Sequence, residues 1–181
     1  MKNTISLALL QLAFSFTFLP VSQNLALELQ GPGANLIETT CKGTPFYNLC
    51  VSTLRSDPRS SSADLLGLAH IVADKLKAKT TATLGQITGL LKGAKDPKLR
   101  MALRDCFDYY NAIIKYDIPV TIDAVAKGNP KFGVQGATDA ANEADACERR
   151  FKNQPKFPIS SSNKVVHDLS AVVASIVQLL L

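Results

Sequence analysis

The spacing of apolar residues places the strongest constraint on the fold of this 181-residue chain. Between Ala63 and Leu91, apolar or small residues recur at intervals of three and four, at positions 65, 69, 72, 76, 80, 83, 87 and 90. This spacing forms one apolar stripe along one side of a long α-helix. Gly93 and the pair Asp96-Pro97 predict the end of this helix and the start of the next.

A second stripe lies between Lys98 and Lys127, at positions 99, 103, 106, 110, 113 and 116. Pro119 falls inside this segment, and it has no backbone N–H to donate to the preceding turn. We therefore expect one helix with a kink near Lys115 rather than a stop. Gly128 is predicted to end this helix.

Two more helical segments follow. The third begins at Asn129-Pro130, a cap residue followed by proline at the first helical position, and continues to about Asn153. Its inward face is predicted to carry Ala137, Ala141, Ala144, Cys147 and Phe151. After a proline-containing break, the serines at 160–162 are predicted to cap a last helix, with apolar positions at 165 or 166, 169, 172 or 173, 176 and 180.

The chain is predicted to be all-α, because no stretch alternates apolar and polar residues with the period of a strand. Four helices of about 20–30 residues joined by short breaks favour an up-down-up-down four-helix bundle, since short links force antiparallel neighbours. We expect this bundle over about 63–181. Two shorter helical pieces, Ala34–Thr40 and Pro45–Arg55, predict an appended helical hairpin over about 34–56.

The first residues have the pattern of a secretory signal peptide. A short basic start precedes the apolar run Ile5–Leu19, and Pro20 then ends the run beside small residues. The run is shorter than the roughly 20 residues that a membrane-spanning helix requires. We predict a signal peptide over residues 1–22, with cleavage between 22 and 26 and a mature domain over 23–181. A retained N-terminal anchor is the alternative.

Export to an oxidising compartment gives the four cysteines a structural role. Four cysteines allow three pairings, and one of these closes a short local ring between Cys41 and Cys50. We predict this disulfide and, for the two remaining cysteines, a second disulfide between Cys106 and Cys147. The rival interpretation is a metal site, but the chain lacks paired Cys-x-x-Cys motifs with nearby histidines, so no metal or other cofactor is expected.

Composition and charge exclude several classes of function. A content of 46% apolar residues excludes general disorder, and a net charge of +5 permits an acidic partner without indicating nucleic acid. No nucleic-acid partner is expected, and no membrane partner once the signal peptide is removed. The two histidines, His70 and His167, lie far apart, and no serine has a nucleophile motif around it. We therefore predict that the chain is not an enzyme.

The segments that carry the cysteines resemble a known family. They are TTCKGTPFYNLC, which holds Cys41 and Cys50, LRDCFDYY, which holds Cys106, and ADACERRF, which holds Cys147. In these segments the chain resembles the plant invertase and pectin methylesterase inhibitors, over residues 35–181. The resemblance implies a disulfide-linked four-helix bundle that inhibits either an acid invertase or a pectin methylesterase.

One short motif favours invertase. The segment KGNPKF at 127–132 resembles the Pro-Lys-Phe segment that invertase inhibitors of this family insert into the active site of their target. The resemblance implies that Lys131 and Phe132 contact the enzyme and that Pro130 stiffens the turn. Pro130 fixes its own φ and restricts Asn129 to extended backbone. A lysine suits the paired carboxylates of a glycoside hydrolase, and an exposed phenylalanine suits a binding anchor.

The tripeptide occurs a second time, as Pro155-Lys156-Phe157. A helix of roughly 20 residues spans about 30 Å, so the two copies lie at opposite ends of the third helix and cannot enter one cleft. We choose Pro130–Phe132, which follows a long helix that ends at a glycine, as the family motif does. The second copy is expected only to link two helices.

The hypothesis is therefore an inhibitor of plant acid invertase (β-fructofuranosidase) that blocks sucrose hydrolysis by inserting a Pro-Lys-Phe turn into the carboxylate-lined cleft. One alternative is inhibition of pectin methylesterase through the helix faces of the bundle. Another is a binding module for acidic pectin, which rests on the positive charge alone. The expected location is the apoplast or cell wall, with the vacuole as the alternative.

Overall fold

The computed structural model describes residues 32–152 and 157–181. The predicted signal peptide therefore lies outside the described residues. Every regular element in the described ranges is helical. In this part of the chain, no helix is both long and apolar enough to cross a membrane.

The described part of the chain begins with the predicted helical hairpin. Helices α1 (Pro32–Lys42) and α2 (Tyr47–Arg55) are joined by the disulfide between Cys41 and Cys50, and a 3₁₀ turn follows at Pro58–Ser61. An ion-pair network fastens this hairpin to the bundle. The carboxylate of Asp57 accepts a hydrogen bond from Arg59 and lies 3.2 Å from the Nζ atom of Lys75. The hydrogen bonds from Arg59, and then the one from Lys75, hold the pKa of Asp57 well below its usual range.

Four long helical stretches make the bundle, so the predicted all-α fold with an up-down-up-down bundle is confirmed. Each stretch packs against the next one along the chain, and the last packs against the first, which closes the ring. The second stretch consists of two α-helices joined by a π-helical segment at Ile113–Asp117. The bundle α-helices are α3 (Leu65–Gly93), α4 (Pro97–Ala112), α5 (Ile118–Ala126), α6 (Pro130–Arg150) and α7 (Ser160–Gln178).

The first two stretches begin at aspartate caps. The Asp64 carboxylate accepts the Gly67 N–H at 2.8 Å, and the Asp96 carboxylate accepts the Leu99 N–H at 2.9 Å. The predicted serine cap of α7 is wrong. Ile159 occupies the cap position because its side chain is buried in the core, so the serines at 160–162 lie inside the first turn.

At the position near Lys115 where a kink was predicted, the structure has a π-helical segment, and this segment explains one wrong prediction. The Ile118 N–H donates to the Ile113 carbonyl, five residues back, so the π segment inserts one extra residue into the helix. The apolar stripe shifts by one position from there on. Tyr116, which we expected to face inward, is exposed. The buried positions after the shift are Ile118, Thr121, Ala124 and Val125.

Two further predicted core positions are also wrong. Leu90 is exposed, because the stripe on α3 leaves the core in the last turn of the helix. On α6, Ala140 is buried where Ala141 was predicted. The reason is that α6 packs against the second stretch on one side and against α7 on the other, so its buried face is wider than a single stripe.

Inside the bundle, covalent and polar contacts tie three of its four helical stretches together. The predicted second disulfide is confirmed, and it joins Cys106 of α4 to Cys147 of α6. One turn further along, the buried Tyr110 hydroxyl donates to the Asn163 Oδ1 atom at 2.9 Å, and the Asn163 amide donates to the Ala144 carbonyl at 3.1 Å. Burial raises the pKa of Tyr110, so its hydroxyl stays protonated and available as a donor.

Candidate target-binding site

The turn between α5 and α6 is closed by backbone hydrogen bonds around one glycine. The Asn129 N–H donates to the Ala124 carbonyl at 2.8 Å, and the Gly128 N–H donates to the Val125 carbonyl at 3.3 Å. This is a Schellman closure, which needs a left-handed residue directly after the helix. Gly128 supplies it with φ +72°, the one positive φ in the described part of the chain. The turn is therefore compact and internally bonded.

The predicted site residues lie in the first turn of α6, so the description of Pro130–Phe132 as a turn is corrected. Pro130 is the first residue of the helix, and the Phe132 N–H donates to the Asn129 carbonyl at 3.1 Å. Asn129 is not in the expected extended conformation, because the bond from its N–H to Ala124 holds its backbone at φ −114° and ψ 59°. Its side chain makes no capping bond. The motif is thus presented by a helix end rather than a loop.

Lys131 and Phe132 project into solvent at this end, which we call the tip (residues 127–132). The Phe132 side chain is 67% exposed, a large apolar group at the surface. Lys131 is exposed too, and no carboxylate of residues 32–152 or 157–181 forms an ion pair with it. The neighbouring Lys127 is already paired with Asp123 at 2.8 Å. Of the two lysines at the tip, Lys131 is therefore the one without an ion-pair partner among the described residues.

Two glycines that are not among the predicted site residues support the tip from beneath. A Cβ atom at Gly136 would lie 2.6 Å from the Asp117 carbonyl oxygen and 2.6 Å from the Thr121 Oγ1 atom. A Cβ atom at Gly133 would lie 3.0 Å from Val177 of α7. The start of α6 therefore packs closely against the π segment and α5, and against the Val177 side chain of α7. In the sequence, a pair of glycines three residues apart within a predicted helix is the signal that could have indicated this close packing.

Acidic side chains lie beside this support. Burial raises the pKa of Asp117 to about 6, and the negative charges of Glu143 and Asp139 raise it further. The pKa of Glu143 is also raised, by burial and then by Asp139. The Oδ2 atom of Asp117 is buried and has no hydrogen-bond partner among the described residues. The first half of α6 therefore packs on a π segment whose carboxyl group takes up a proton at a higher pH than an exposed aspartate.

The second copy of the tripeptide has a different environment. Pro155 and Lys156 lie outside the described residues, but Phe157 is described, and its ring stacks on Phe151 with centroids 4.4 Å apart. Phe157 is half-buried near the C-terminal end of α6, whereas Phe132 lies at the N-terminal end of the same helix. Its ring belongs to the packing that connects α6 to α7.

The remaining chemical candidates are structural. His167 faces the Asp168 Oδ1 atom at 3.0 Å and packs edge-on against Phe46, with ring centroids 6.2 Å apart. Lys164 covers the same Phe46 ring, with its Nζ atom 5.2 Å from the centroid. These contacts attach the hairpin loop to α7. Within the described ranges, no group of three or more His, Cys, Asp or Glu side chains is arranged to hold a metal ion.

Residues 35–176, which include both disulfides and the tip, match the model of a family described as plant invertase/pectin methylesterase inhibitor. The chain belongs to this family. Membership places the chain among enzyme inhibitors and not among enzymes.

Individual members of the inhibitor family show the range of targets. The chain is 46% identical over 142 residues to cell wall / vacuolar inhibitor of fructosidase 1 of Arabidopsis thaliana, covering 78% of this chain and 67% of that protein. It is 30% identical over 163 residues to a pectinesterase inhibitor of Actinidia deliciosa, covering 89% and 86%. A crystal structure of mutant form A of a pectin methylesterase inhibitor from Arabidopsis matches with a TM-score of 0.71 and 24% identity, over 78% of this chain and 95% of that one. This last likeness shows the fold.

Proposed function

We propose that this chain inhibits an acid invertase and that the tip enters the active-site cleft of the enzyme. The observation that carries the proposal is an exposed aromatic ring next in sequence to a lysine that has no ion-pair partner among the described residues, both in the first turn of a helix. The target class is supported by the 46% identity to a protein named as an inhibitor of fructosidase.

The chemistry of the tip suits a glycoside hydrolase. Such enzymes hold two carboxyl groups around the scissile bond. Lys131 would pair with these carboxylates where water is excluded, and Phe132 would fill an apolar part of the cleft as the anchor of the interface. The Schellman turn and the close packing at Gly133 and Gly136 would reduce the entropy lost on binding, because the tip is already ordered in the free protein.

Pectin methylesterase is the other candidate target, and it is supported by the 30% identity to a pectinesterase inhibitor. In that case the chain would bind the enzyme through the helix faces of the bundle instead of through the tip. We propose secretion to the cell wall as the location, with the vacuole as the alternative; the relative in Arabidopsis is named for both.

The decisive experiment titrates the purified disulfide-linked protein against an acid invertase and a pectin methylesterase at mildly acidic pH. We expect slower sucrose hydrolysis, relief by added sucrose because both compete for one cleft, and unchanged pectin methylesterase activity at the same concentration. Inhibition of pectin methylesterase alone would assign the chain to the other branch of the family. Invertase inhibition that sucrose does not relieve would exclude insertion into the cleft.

A further inference from the structure

Basic side chains are concentrated at the end of the bundle opposite the tip. Between positions 92 and 104, where α3 ends and α4 begins, five residues are basic and only Asp96 is acidic. All five basic side chains are exposed: Lys92, Lys95, Lys98, Arg100 and Arg104. With a rise of about 1.5 Å per residue from Pro97 to Ala126, this basic cluster lies about 40 Å from the tip.

Three members of the basic cluster line one shallow groove of about 320 Å³. Lys95, Arg100 and Arg104 surround the groove together with Pro97 and the exposed Met101. Arg100 and Arg104 are one helical turn apart on the same face of α4. The groove therefore offers repeated positive charge next to a small apolar surface.

In the described part of the chain, no ion pair neutralises the charges of the groove, and hydrogen bonds hold one of these charges in place. The Arg100 guanidinium donates to the Ala94 carbonyl at 3.1 Å from Nε and at 2.8 Å from Nη2, which fixes its position and leaves its other N–H groups for a second acceptor. Asp96 is engaged in capping α4. Across residues 32–152 and 157–181, no ion pair involves Lys95, Arg100 or Arg104.

We infer that this groove binds a linear polysaccharide that carries carboxylates, a polyuronate, and so attaches the protein to an acidic matrix. Guanidinium groups bind carboxylates through paired hydrogen bonds, and the two arginines with Lys95 offer three positive charges to a polymer that carries several carboxylates. The distance of about 40 Å leaves the tip accessible while the polymer is bound. The inference rests on the groove and not on the proposed enzyme target.

The groove suits other polyanions less well. None of its five lining residues is aromatic, whereas proteins that bind single-stranded nucleic acid stack bases on aromatic side chains. Membrane-surface helices insert a broad apolar face, and here the exposed apolar surface consists of Met101 and Pro97. The two disulfides indicate an oxidising compartment outside the cytosol.

The test measures binding of the full protein to polygalacturonate at low ionic strength. We expect the double variant Lys95→Glu/Arg104→Glu to bind at least about tenfold more weakly. The matched control is Lys77→Glu/Lys79→Glu on exposed positions of α3, which changes the net charge equally and should alter binding by less than about threefold. Methyl-esterified pectin, whose carboxylates are blocked, should bind at least about tenfold more weakly, and about 0.3 M salt should abolish binding.

Folding and target inhibition are followed separately. Circular dichroism melting and the neutral variant Lys95→Ala/Arg104→Ala show whether a loss of binding comes from the groove or from unfolding. Invertase inhibition by both variants should be unchanged, so a failure of this inference is distinguishable from a failure of the proposed function. Equal loss in the charge-matched control would overturn the inference. Tighter binding of duplex DNA or of anionic lipid vesicles through the same residues would overturn the choice of partner.

Discussion

The ring of Phe157 stacks on the ring of Phe151, with centroids 4.4 Å apart and planes 21° from parallel. Phe132 follows the same Pro-Lys pair but is 67% exposed at the other end of α6. The two copies of one tripeptide therefore differ in what their aromatic rings do. One ring stabilises the packing between α6 and α7, and the other is available to a partner.

Alanine substitutions should separate these two roles. Phe157→Ala removes a half-buried stacked ring, and we expect a loss of about 1–3 kcal/mol in the free energy of unfolding with unchanged inhibition per folded molecule. Phe132→Ala should change stability by less than about 0.5 kcal/mol and weaken inhibition by about 2 kcal/mol, roughly 30-fold. Denaturant unfolding and invertase titration measure the two effects. The opposite assignment of effects would mean that Pro155–Phe157 is the functional copy.

The charge of Lys131 is expected to matter more than that of Lys127. Lys131→Ala should weaken inhibition by about 2 kcal/mol, because carboxylates of the target lose their partner, and Lys131→Glu should weaken it further through repulsion. Lys127→Ala is the control from the same turn, and its effect should stay below about 1 kcal/mol because Lys127 is paired with Asp123. Inhibition constants for the three variants check this order. Equal effects at both lysines would indicate long-range attraction rather than insertion of Lys131.

Gly136→Ala should destabilise the bundle. The added Cβ atom would meet a backbone carbonyl and the Thr121 hydroxyl, each 2.6 Å away, and overpacking of this kind costs about 1–3 kcal/mol. Gly89→Ala in α3 is the matched control, because no atom lies within 4 Å of its added Cβ. That change should stabilise the helix by about 0.5–1 kcal/mol. Thermal melts of the two variants should therefore shift in opposite directions, and a stabilising Gly136→Ala would contradict the close contact.

Asp117 should make stability fall as pH rises. Its pKa is raised to about 6 in the folded protein, so the protonated form is favoured by folding. The stability that this proton contributes is fully present below the unfolded pKa of about 4 and is lost as pH rises through about 6.

We therefore expect Asp117→Asn to match the wild type near pH 4 and to melt higher than the wild type above about pH 7. The gain should be about 1 kcal/mol or less, or about 2–4 °C, because the side chain is only half-buried and water screens its charge. Asp108→Asn on the exposed face of α4 is the control for removing one negative charge. A difference between Asp117→Asn and wild type that does not grow with pH would refute this account.

Much of the fold could be predicted from local patterns. The breaks at Gly93 and Gly128, the stripe on α3 as far as Ile87 and the local Cys41–Cys50 disulfide were correct, because each depends on short-range chemistry or on helix periodicity. The Cys106–Cys147 disulfide then followed by elimination. The wrong positions follow non-local causes. Tyr116 was placed inward because a continuous α-helix was assumed, and nothing near Pro119 in sequence distinguishes a kink from the extra residue of a π segment.

The sequence by itself determined the helices, the disulfides and the identity of the residues at the tip. Only the tertiary structure decided how those residues are presented. Lys131 and Phe132 of the first Pro-Lys-Phe copy are exposed, whereas the ring of Phe157 in the second copy is packed. The difference comes from Phe151 at the end of α6 and not from the tripeptide itself. Likewise, a glycine in a helix predicts local weakness from sequence alone, whereas Gly136 acts here as a contact point between helices. The physical reason is that exposure and close approach depend on neighbours that are distant in sequence, and a local pattern carries no record of them.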